Sequence, residues 1–233
     1  MSILLINSVV WKFTMNSKKL IIAMPKGRIL KELRPLLDLI PITPENDFDR
    51  QESRKLHFET SNDNISFIKV RSFDVATFVA FGSAHIGIVG SDVLQEFNYS
   101  ELYSPLDLNI GKCSLCLAST SSFNKELSRL SHIRVATKYP ETTKEYFFKK
   151  GIQAECIKIN GAVELAPKLG LSSHIVDLVS TGNTIKENGL VVVEKISDVS
   201  TRLVVNRSVM KTRPNEIKDL ILKFRGIANG SDN

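Results

Sequence analysis

Hydroxyl and carboxylate side chains gather in one short segment, Asp177-Leu-Val-Ser180-Thr181-Gly182-Asn183-Thr184. It begins inside an apolar run of strand length, which predicts a strand that ends in a turn. At such a turn Gly182 lets a ligand approach the backbone, whose N–H groups can bind a phosphate together with the hydroxyls of Ser180, Thr181 and Thr184. Asp177 can accept hydrogen bonds from ribose hydroxyls or share a metal ion. This combination suits a 5-phosphoribosyl group, and it fits equally a Ser/Thr-capped helix start with Asp177 on the surface.

A second turn with chemical potential is Pro25-Lys26-Gly27-Arg28. An apolar run precedes it and an apolar helical period follows it, so Lys26 and Arg28 should lie beside the amides of a helix N-terminus. That placement suits a di- or triphosphate. The helix dipole disfavours basic residues there, which favours binding over a plain helix start. The P-loop pattern G-x-x-x-x-G-K-[ST] is absent.

A third segment, Gly87-Ile-Val-Gly90-Ser91-Asp92, ends a predicted strand in Gly and Ser. It can line a nucleotide pocket. It can equally be a helix start capped by Ser91 or Asp92.

The elements that would carry these turns alternate between strands and helices, which predicts an α/β protein. Strands are predicted at 20–24, 65–70, 86–89, 113–118, 133–136, 156–159, 175–179, 191–196 and 202–206, the last two antiparallel. Helices are predicted at 29–40, 74–81, from 93, 143–150, 162–169 and 215–227. We expect two α/β lobes, residues 16–100 with 186–233 and residues 101–185, with a ligand cleft between them.

Composition narrows the range of partners. The 233 residues carry 31 Lys and Arg against 25 Asp and Glu, a formal net charge of +6 that favours anionic ligands. No run of five like charges and no basic segment interleaved with aromatics occurs, so no nucleic-acid partner is predicted. The apolar stretch within residues 1–15 is too short to span a bilayer, so we expect no membrane association and an extension outside the fold.

The cysteines and histidines predict no metal site of the protein's own. Cys113 and Cys116 form a C-x-x-C on a predicted strand, where residues three apart face opposite sides. The four histidines show no ligand spacing. Three cysteines are an odd number without a disulfide framework, which indicates a reducing, cytoplasmic location.

Seven segments together make the chain resemble the ATP phosphoribosyltransferase family from about residue 19 to residue 206. In the family's order they are LIIAMPKGRIL, VRSFDV, IGIVGSDVLQE, IGKCSLCLA, RVATKYPETTKEYF, NGAVELAPKLGL and IVDLVSTGNTIKENGL. The last two are the most specific. The resemblance implies a two-lobed architecture of the periplasmic-binding-protein-like type II.

The resemblance also implies an activity and a site. The family transfers 5-phosphoribosyl from phosphoribosyl pyrophosphate to N1 of ATP and releases pyrophosphate, the first step of histidine biosynthesis, with Mg²⁺ bound through substrate phosphates. By this resemblance the phosphoribosyl pyrophosphate site would comprise Glu164, Asp177, Ser180, Thr181, Gly182, Asn183 and Thr184. The ATP site would comprise Lys26, Gly27, Arg28, Arg71, Gly90 and Ser91. Lys26 and Arg28 would stabilise the departing pyrophosphate, and Asp177 would hold the ribose diol.

Two features depart from the common pattern. Where the family usually has G-x-A-D-[IL]-G, this chain has Gly82-Ser-Ala-His85-Ile-Gly87. An Asp there would buttress the strand rather than do chemistry, and a His can substitute. The chain also stops after the helix predicted at 215–227. This resembles the short form of the family, which works in a hetero-oligomer with a regulatory subunit resembling histidyl-tRNA synthetase.

Two other functions fit parts of the sequence. Two-lobed α/β proteins also serve as non-catalytic binders, which predicts an export signal or a DNA-binding helix-turn-helix, and neither is evident. A phosphoribosyltransferase acting on a free base would usually have two acids before the T-G-x-T turn, whereas Val176-Asp177 supplies one.

Overall fold

The computed structural model describes residues 19–120 and 131–230. They form two compact units, each built around one sheet. The first contains the chain up to Gly111 and again from Thr201, and the second contains Lys112–Ser200. The extension expected over residues 1–15 lies outside the described residues.

The first unit holds a six-stranded sheet in the order β2-β3-β1-β4-β11-β5. Its strands are β1 (Leu20–Pro25), β2 (His57–Glu59), β3 (Ile65–Val70), β4 (Ile86–Gly90), β5 (Leu102–Asp107) and β11 (Thr201–Asn206). β1 lies between β3 and β4 and is parallel to both, whereas β11 is antiparallel to β4 and β5. The central strands are buried almost throughout, as expected for strands covered on both faces.

Helices cover this sheet. They are α1 (Arg28–Leu37), α2 (Ser72–Ala80), α3 (Ser91–Phe97), α7 (Arg207–Thr212) and α8 (Pro214–Gly230), with a 3-10 turn at Asn46–Phe48. The apolar period of α1 buries Leu33 and Leu37 in a core shared with β1. Asn206 begins α7 by accepting hydrogen bonds from the amides of Ser208 and Val209, and its own amide group donates to the last carbonyls of α2.

The second unit holds a five-stranded sheet in the order β10-β6-β9-β7-β8. Its strands are β6 (Cys113–Thr120), β7 (His132–Thr137), β8 (Gln153–Lys158), β9 (His174–Val179) and β10 (Leu190–Val199). The helices are α4 (Pro140–Lys149), α5 (Leu165–Lys168) and α6 (Asn183–Glu187). β7 is parallel to β8 and β9, and β6 runs antiparallel to β9 and β10.

The unit boundaries differ from those expected, which were 100/101 and 185/186. They lie at 111/112 and 200/201 because hydrogen-bonded pairing decides which unit a strand joins. β5 pairs with β11 in the first unit, and β10 pairs with β6 in the second. The two late strands are therefore antiparallel to other strands and not to each other.

Most predicted elements are present, with shifted ends. The helix predicted over 162–169 is shorter, because Ala162 has a left-handed backbone (φ 52°) and α5 spans only Leu165–Lys168. β2, β5 and α7 were not predicted. No described helix has the length and apolar character needed to cross a membrane.

Candidate functional site

Three neighbouring parallel strands of the first unit end at the same edge of their sheet. Pro25 of β1 pairs with Val70 of β3, and the amide of Lys26 extends this ladder by donating to the Val70 carbonyl at 2.8 Å. Lys26 and Arg71 therefore follow adjacent strand ends, and Ser91 follows the end of β4. This edge collects the residues predicted for ATP: Lys26, Gly27, Arg28, Arg71, Gly90 and Ser91. The carboxyl edge of parallel strands is where open α/β sheets bind ligands.

The turn at Gly27 presents an uncapped helix N-terminus. Gly27 has φ 98°, which residues with a side chain rarely adopt, and no side chain caps the ten-residue helix α1. The first turn of α1 contains no acidic residue. Its amide groups and the exposed Lys26 are thus arranged for an anion.

A cavity of about 630 Å³ opens beside this turn. Among the described residues, its lining comprises six cationic side chains against one carboxylate, Asp49. The cations are Lys26, Lys31, Arg34, Arg50, Lys55 and Lys69. A cavity with this charge balance suits a polyanion.

Partners neutralise half of these cations. The Arg34 Nε donates to the Asp49 carboxylate at 2.9 Å, and this bond, with a further one to Asp38, raises the pKa of Arg34 above its ordinary value despite partial burial. Lys55 pairs with Glu45 at 2.5 Å, and Arg50 with Asp47 at 3.0 Å. By contrast, Lys26, Lys31 and Lys69 form no ion pair with the described part of the chain.

Lys69 is the most constrained of the unpaired cations. Its ammonium group donates to the Phe48 carbonyl and lies 4.6 Å from the centre of the Phe48 ring and 5.0 Å from that of Phe58. Partial burial lowers its pKa, nearby Asp49 opposes this, and Lys26 adds to it. A bound anion near Lys69 and Lys26 would relieve their repulsion.

Sequence reasoning did not find Lys31, Arg34, Arg50, Lys55 or Lys69. They come from α1, from β3 and from the connection between α1 and β2, so only the fold brings them together. Lys31 alone had a local signal, since it lies about one helical turn beyond Gly27 on α1.

Gly90 leaves room for the Asp92 side chain. A Cβ at this position would lie 2.0 Å from Oδ1 of Asp92, because that buried carboxylate folds back against the start of α3. This contact gives a structural reason for the Gly-Ser-Asp sequence. The same segment also lies at the carboxyl edge of the first sheet.

The second unit has a comparable edge. The parallel strands β7, β8 and β9 all end there, and the segments carrying Glu164 and Ser180–Thr184 follow β8 and β9. The structure thus brings both predicted phosphoribosyl segments to one edge of one sheet.

The Ser180–Thr184 turn exposes hydroxyl and amide side chains around a left-handed glycine. Gly182 is left-handed (φ 78°) and precedes α6, while four exposed side chains surround it: Ser180, Thr181, Asn183 and Thr184. The Thr181 hydroxyl accepts a long hydrogen bond of 3.5 Å from the Asn183 amide. The half-buried Asp177 accepts from the Leu178 amide at 2.8 Å through Oδ1.

Glu164 is half-buried and immediately precedes α5. Two residues earlier, Ala162 is one of three described non-glycine residues with positive φ. Backbone strain of this kind clusters at ligand-binding segments. Sequence patterns gave no sign of it, since alanine is not a residue that favours this conformation.

His85 lies at the opposite, amino edge of the first sheet. Its Nδ1 accepts from the Ile21 amide at 2.9 Å, while its own amide donates to the Ile21 carbonyl at 2.9 Å. The ring is therefore neutral with its proton on Nε2, and it buttresses β1 against the start of β4. The expectation that a histidine can serve as a buttress here agrees with this geometry. His85 does not reach the carboxyl edge of the sheet.

Comparison with known proteins agrees with this architecture. The chain resembles a putative sulfonate-binding periplasmic protein from Methylobacillus flagellatus (TM-score 0.58, 12% identity, 89% of this chain and 67% of that one), which supports the two-lobed type II fold alone. The ATP phosphoribosyl transferase HisG:HisZ complex from Thermotoga maritima matches at TM-score 0.76 and 32% identity, over 91% of this chain and 99% of that one.

Sequence relatives point the same way. A relative from Rhodospirillum rubrum named ATP phosphoribosyltransferase is 60% identical over 89% of this chain and 92% of its own length. One of the same name from Bacillus cereus is 46% identical over 86% and 92%. The family model "HisG: ATP phosphoribosyltransferase" matches residues 71–226. The two-lobed α/β fold and these named relatives together define a pentosyltransferase. The chain belongs to the ATP phosphoribosyltransferase family.

Proposed function

We propose that the protein transfers the 5-phosphoribosyl group of phosphoribosyl pyrophosphate to N1 of ATP, releasing pyrophosphate in the first step of histidine biosynthesis. Family membership and the names of the relatives support the activity. The observation that carries the residue assignment is the pair of carboxyl edges: a cationic cavity beside Gly27 in one unit, and the Gly182 loop with Asp177 in the other.

The chemistry is a displacement at the anomeric carbon. The lone pair of adenine N1 forms a bond to C1 of the ribose, and the C1–O bond breaks with its electrons passing to the departing pyrophosphate. Negative charge grows on that leaving group, so positioned cations are the main requirement and no covalent enzyme intermediate is needed. We assign Lys26 and Arg28 to this charge, Asp177 with Glu164 to the ribose hydroxyls, and residues 180–184 to the 5-phosphate.

The proposed ATP site also includes Gly27, Arg71, Gly90 and Ser91. Lys31 and Lys69, unpaired in the cavity, are additional candidates for the ATP triphosphate or the pyrophosphate. Both stand close enough to the Gly27 turn to line the same cavity.

We propose that Mg²⁺ binds through the phosphates of the substrates. Among the described residues no three His, Cys, Asp or Glu side chains are grouped to hold a metal, and Mg²⁺ readily binds phosphate oxygens with one or two carboxylates. The residues therefore fit an ion that arrives with the diphosphate. When bound, it would neutralise part of the charge on the leaving group.

We further propose that the protein acts in the cytoplasm with a regulatory subunit resembling histidyl-tRNA synthetase. The Thermotoga maritima neighbour is a HisG:HisZ complex, and the three cysteines are unbridged.

The decisive experiment mixes the purified chain with ATP, phosphoribosyl pyrophosphate and Mg²⁺, with and without the partner subunit from the same source. Absorbance is followed at the long-wavelength edge of the adenine band. We expect a rise that requires both substrates and is changed by the partner. If no rise occurs even with the partner while either substrate binds tightly, the chain is a binding protein and the proposed activity is wrong.

A further inference from the structure

Two side chains one turn apart on α1 hold the backbone of a single residue, Gly111. The Gly111 amide donates to Oε2 of Glu32 at 2.7 Å, and its carbonyl accepts from Nη2 of Arg28 at 3.1 Å. Nε of Arg28 lies 3.4 Å from Oε1 of Glu32. The three contacts close a ring within the first unit.

The backbone of Gly111 is a firm anchor for this ring. Its φ is 66°, and a Cβ there would lie 2.8 Å from the Thr201 hydroxyl oxygen, so any other residue would be strained. Just before Gly111, the Thr201 amide donates to the Ile110 carbonyl at 3.0 Å, and the Leu108 amide donates to the Thr201 carbonyl at 2.9 Å. The amide and the carbonyl of Gly111, which bind side chains of α1, therefore belong to a segment that other hydrogen bonds already fix.

We propose that Glu32 is a positioning residue that fixes the Arg28 guanidinium beside the Gly27 turn. The inference rests on the proposed function, in which Arg28 stabilises the departing pyrophosphate. Arg28 and Glu32 are about half exposed, and an exposed ion pair adds little to stability. The consequence of the ring is therefore orientation. A guanidinium has five N–H donors. The hydrogen bond to Gly111 uses one of them, and Nε faces Glu32 at ion-pair distance, so donors remain for an anion.

A cation held in place affects the rate more than the binding. Charge on the pyrophosphate grows as the bond to C1 breaks, so a pre-oriented Arg28 stabilises the transition state more than the bound substrate. Loss of the orientation should lower kcat and leave KM nearly unchanged.

Glu32→Gln separates this role from a structural one. The amide oxygen can still accept from Gly111, whereas the negative charge facing Arg28 is lost. We expect kcat to fall by about ten- to a hundredfold, the scale of a misplaced catalytic group, with KM for either substrate within about twofold. In an Arg28→Ala background the same substitution should cause no further loss, because the two residues act as one.

Glu145→Gln on α4 is the matched control, since Glu145 forms an exposed i,i+4 pair with Lys149 at 2.7 Å. It should leave kcat unchanged. A second readout does not need activity. The side-chain Nε–H signal of Arg28 in NMR is identified by its loss in Arg28→Lys. In Glu32→Gln, the relaxation of this signal should show that the Arg28 side chain has become mobile.

Wild-type kcat in Glu32→Gln, an additive loss in the Arg28→Ala background, or an unchanged Arg28 signal would each overturn the inference. If the wild-type chain with its partner makes no product, the proposed function fails instead. The Arg28 signal then still decides whether Glu32 orients that side chain.

Discussion

Asp177 is the residue on which the phosphoribosyl assignment depends most. We expect Asp177→Ala to lower kcat/KM by at least about tenfold, the scale of one lost transition-state contact. Steady-state rates measured with the partner subunit test this. Glu155→Ala, which removes an exposed carboxylate paired with Arg134 on the same sheet, is the control and should retain activity. Wild-type rates in Asp177→Ala would show that Asp177 does not hold the ribose hydroxyls.

His85 gives a pH-dependent contribution to stability. Burial, reinforced by Arg213 and opposed by Glu216, lowers its pKa below the ordinary value of 6.5. The folded state therefore favours the neutral ring, so this contribution is complete above pH 6.5 and is lost as the pH falls from there toward the lowered pKa.

His85→Asn should flatten that dependence. The Asn side-chain oxygen can accept from Ile21 without titrating, so the free energy of unfolding should fall less between pH 7.5 and 5 than in the wild type. Urea unfolding followed by circular dichroism measures it. Burial also lowers the pKa of His174, so some slope remains in the variant. Identical slopes in the two proteins would contradict the role given to His85.

At the scale of elements, two glycines offer a matched comparison. A Cβ at Gly226 of α8 or at Gly151 after α4 would meet open space, but only Gly151 has a left-handed backbone, φ 73°. We expect Gly226→Ala to stabilise the protein by about 0.5–1 kcal/mol, because alanine loses less entropy in a helix. Gly151→Ala should destabilise it by about 1–2 kcal/mol. Thermal unfolding of both variants decides, and a shift of the same sign in both would refute the argument.

Local patterns predicted the elements better than their partners. The apolar runs of β1, β3 and β9 are strong signals because both faces of these strands are covered. β2 and β5 are short or half-exposed edge strands, which leave little periodicity to detect. The late strands β10 and β11 were predicted, but nothing local specifies that each joins a different unit.

The candidate site likewise contains local segments and residues that only the fold brings together. Lys26–Arg28 and Ser180–Thr184 are continuous turns, so a ligand-binding role could be predicted for them from adjacent residues, and it stays a prediction. The cavity cations Lys31, Lys55 and Lys69 come from separate elements, and the Glu32–Gly111 contact spans 79 positions. Such long-range juxtapositions depend on packing that a single sequence does not display.

At the scale of the whole molecule, the two carboxyl edges predict that each unit binds its own part of the reactants. Ribose 5-phosphate, which carries only the group assigned to Asp177 and Gly182, should protect amides of the second unit from hydrogen exchange, chiefly residues 176–186. Tripolyphosphate should protect amides of the first unit near the Gly27 turn and the cationic cavity. Ligand at about 100 times its dissociation constant stabilises the bound state by about 2.7 kcal/mol, so the protection is measurable by mass spectrometry.

Variants sharpen this comparison. Lys26→Ala should abolish the protection by tripolyphosphate and leave that by ribose 5-phosphate intact, and Thr181→Ala should weaken the second protection only. Sodium chloride at matched ionic strength controls for general screening of the net positive charge. If ribose 5-phosphate protected the first unit, or tripolyphosphate the second, the assignment of the two edges would have to be exchanged even though the overall activity stood.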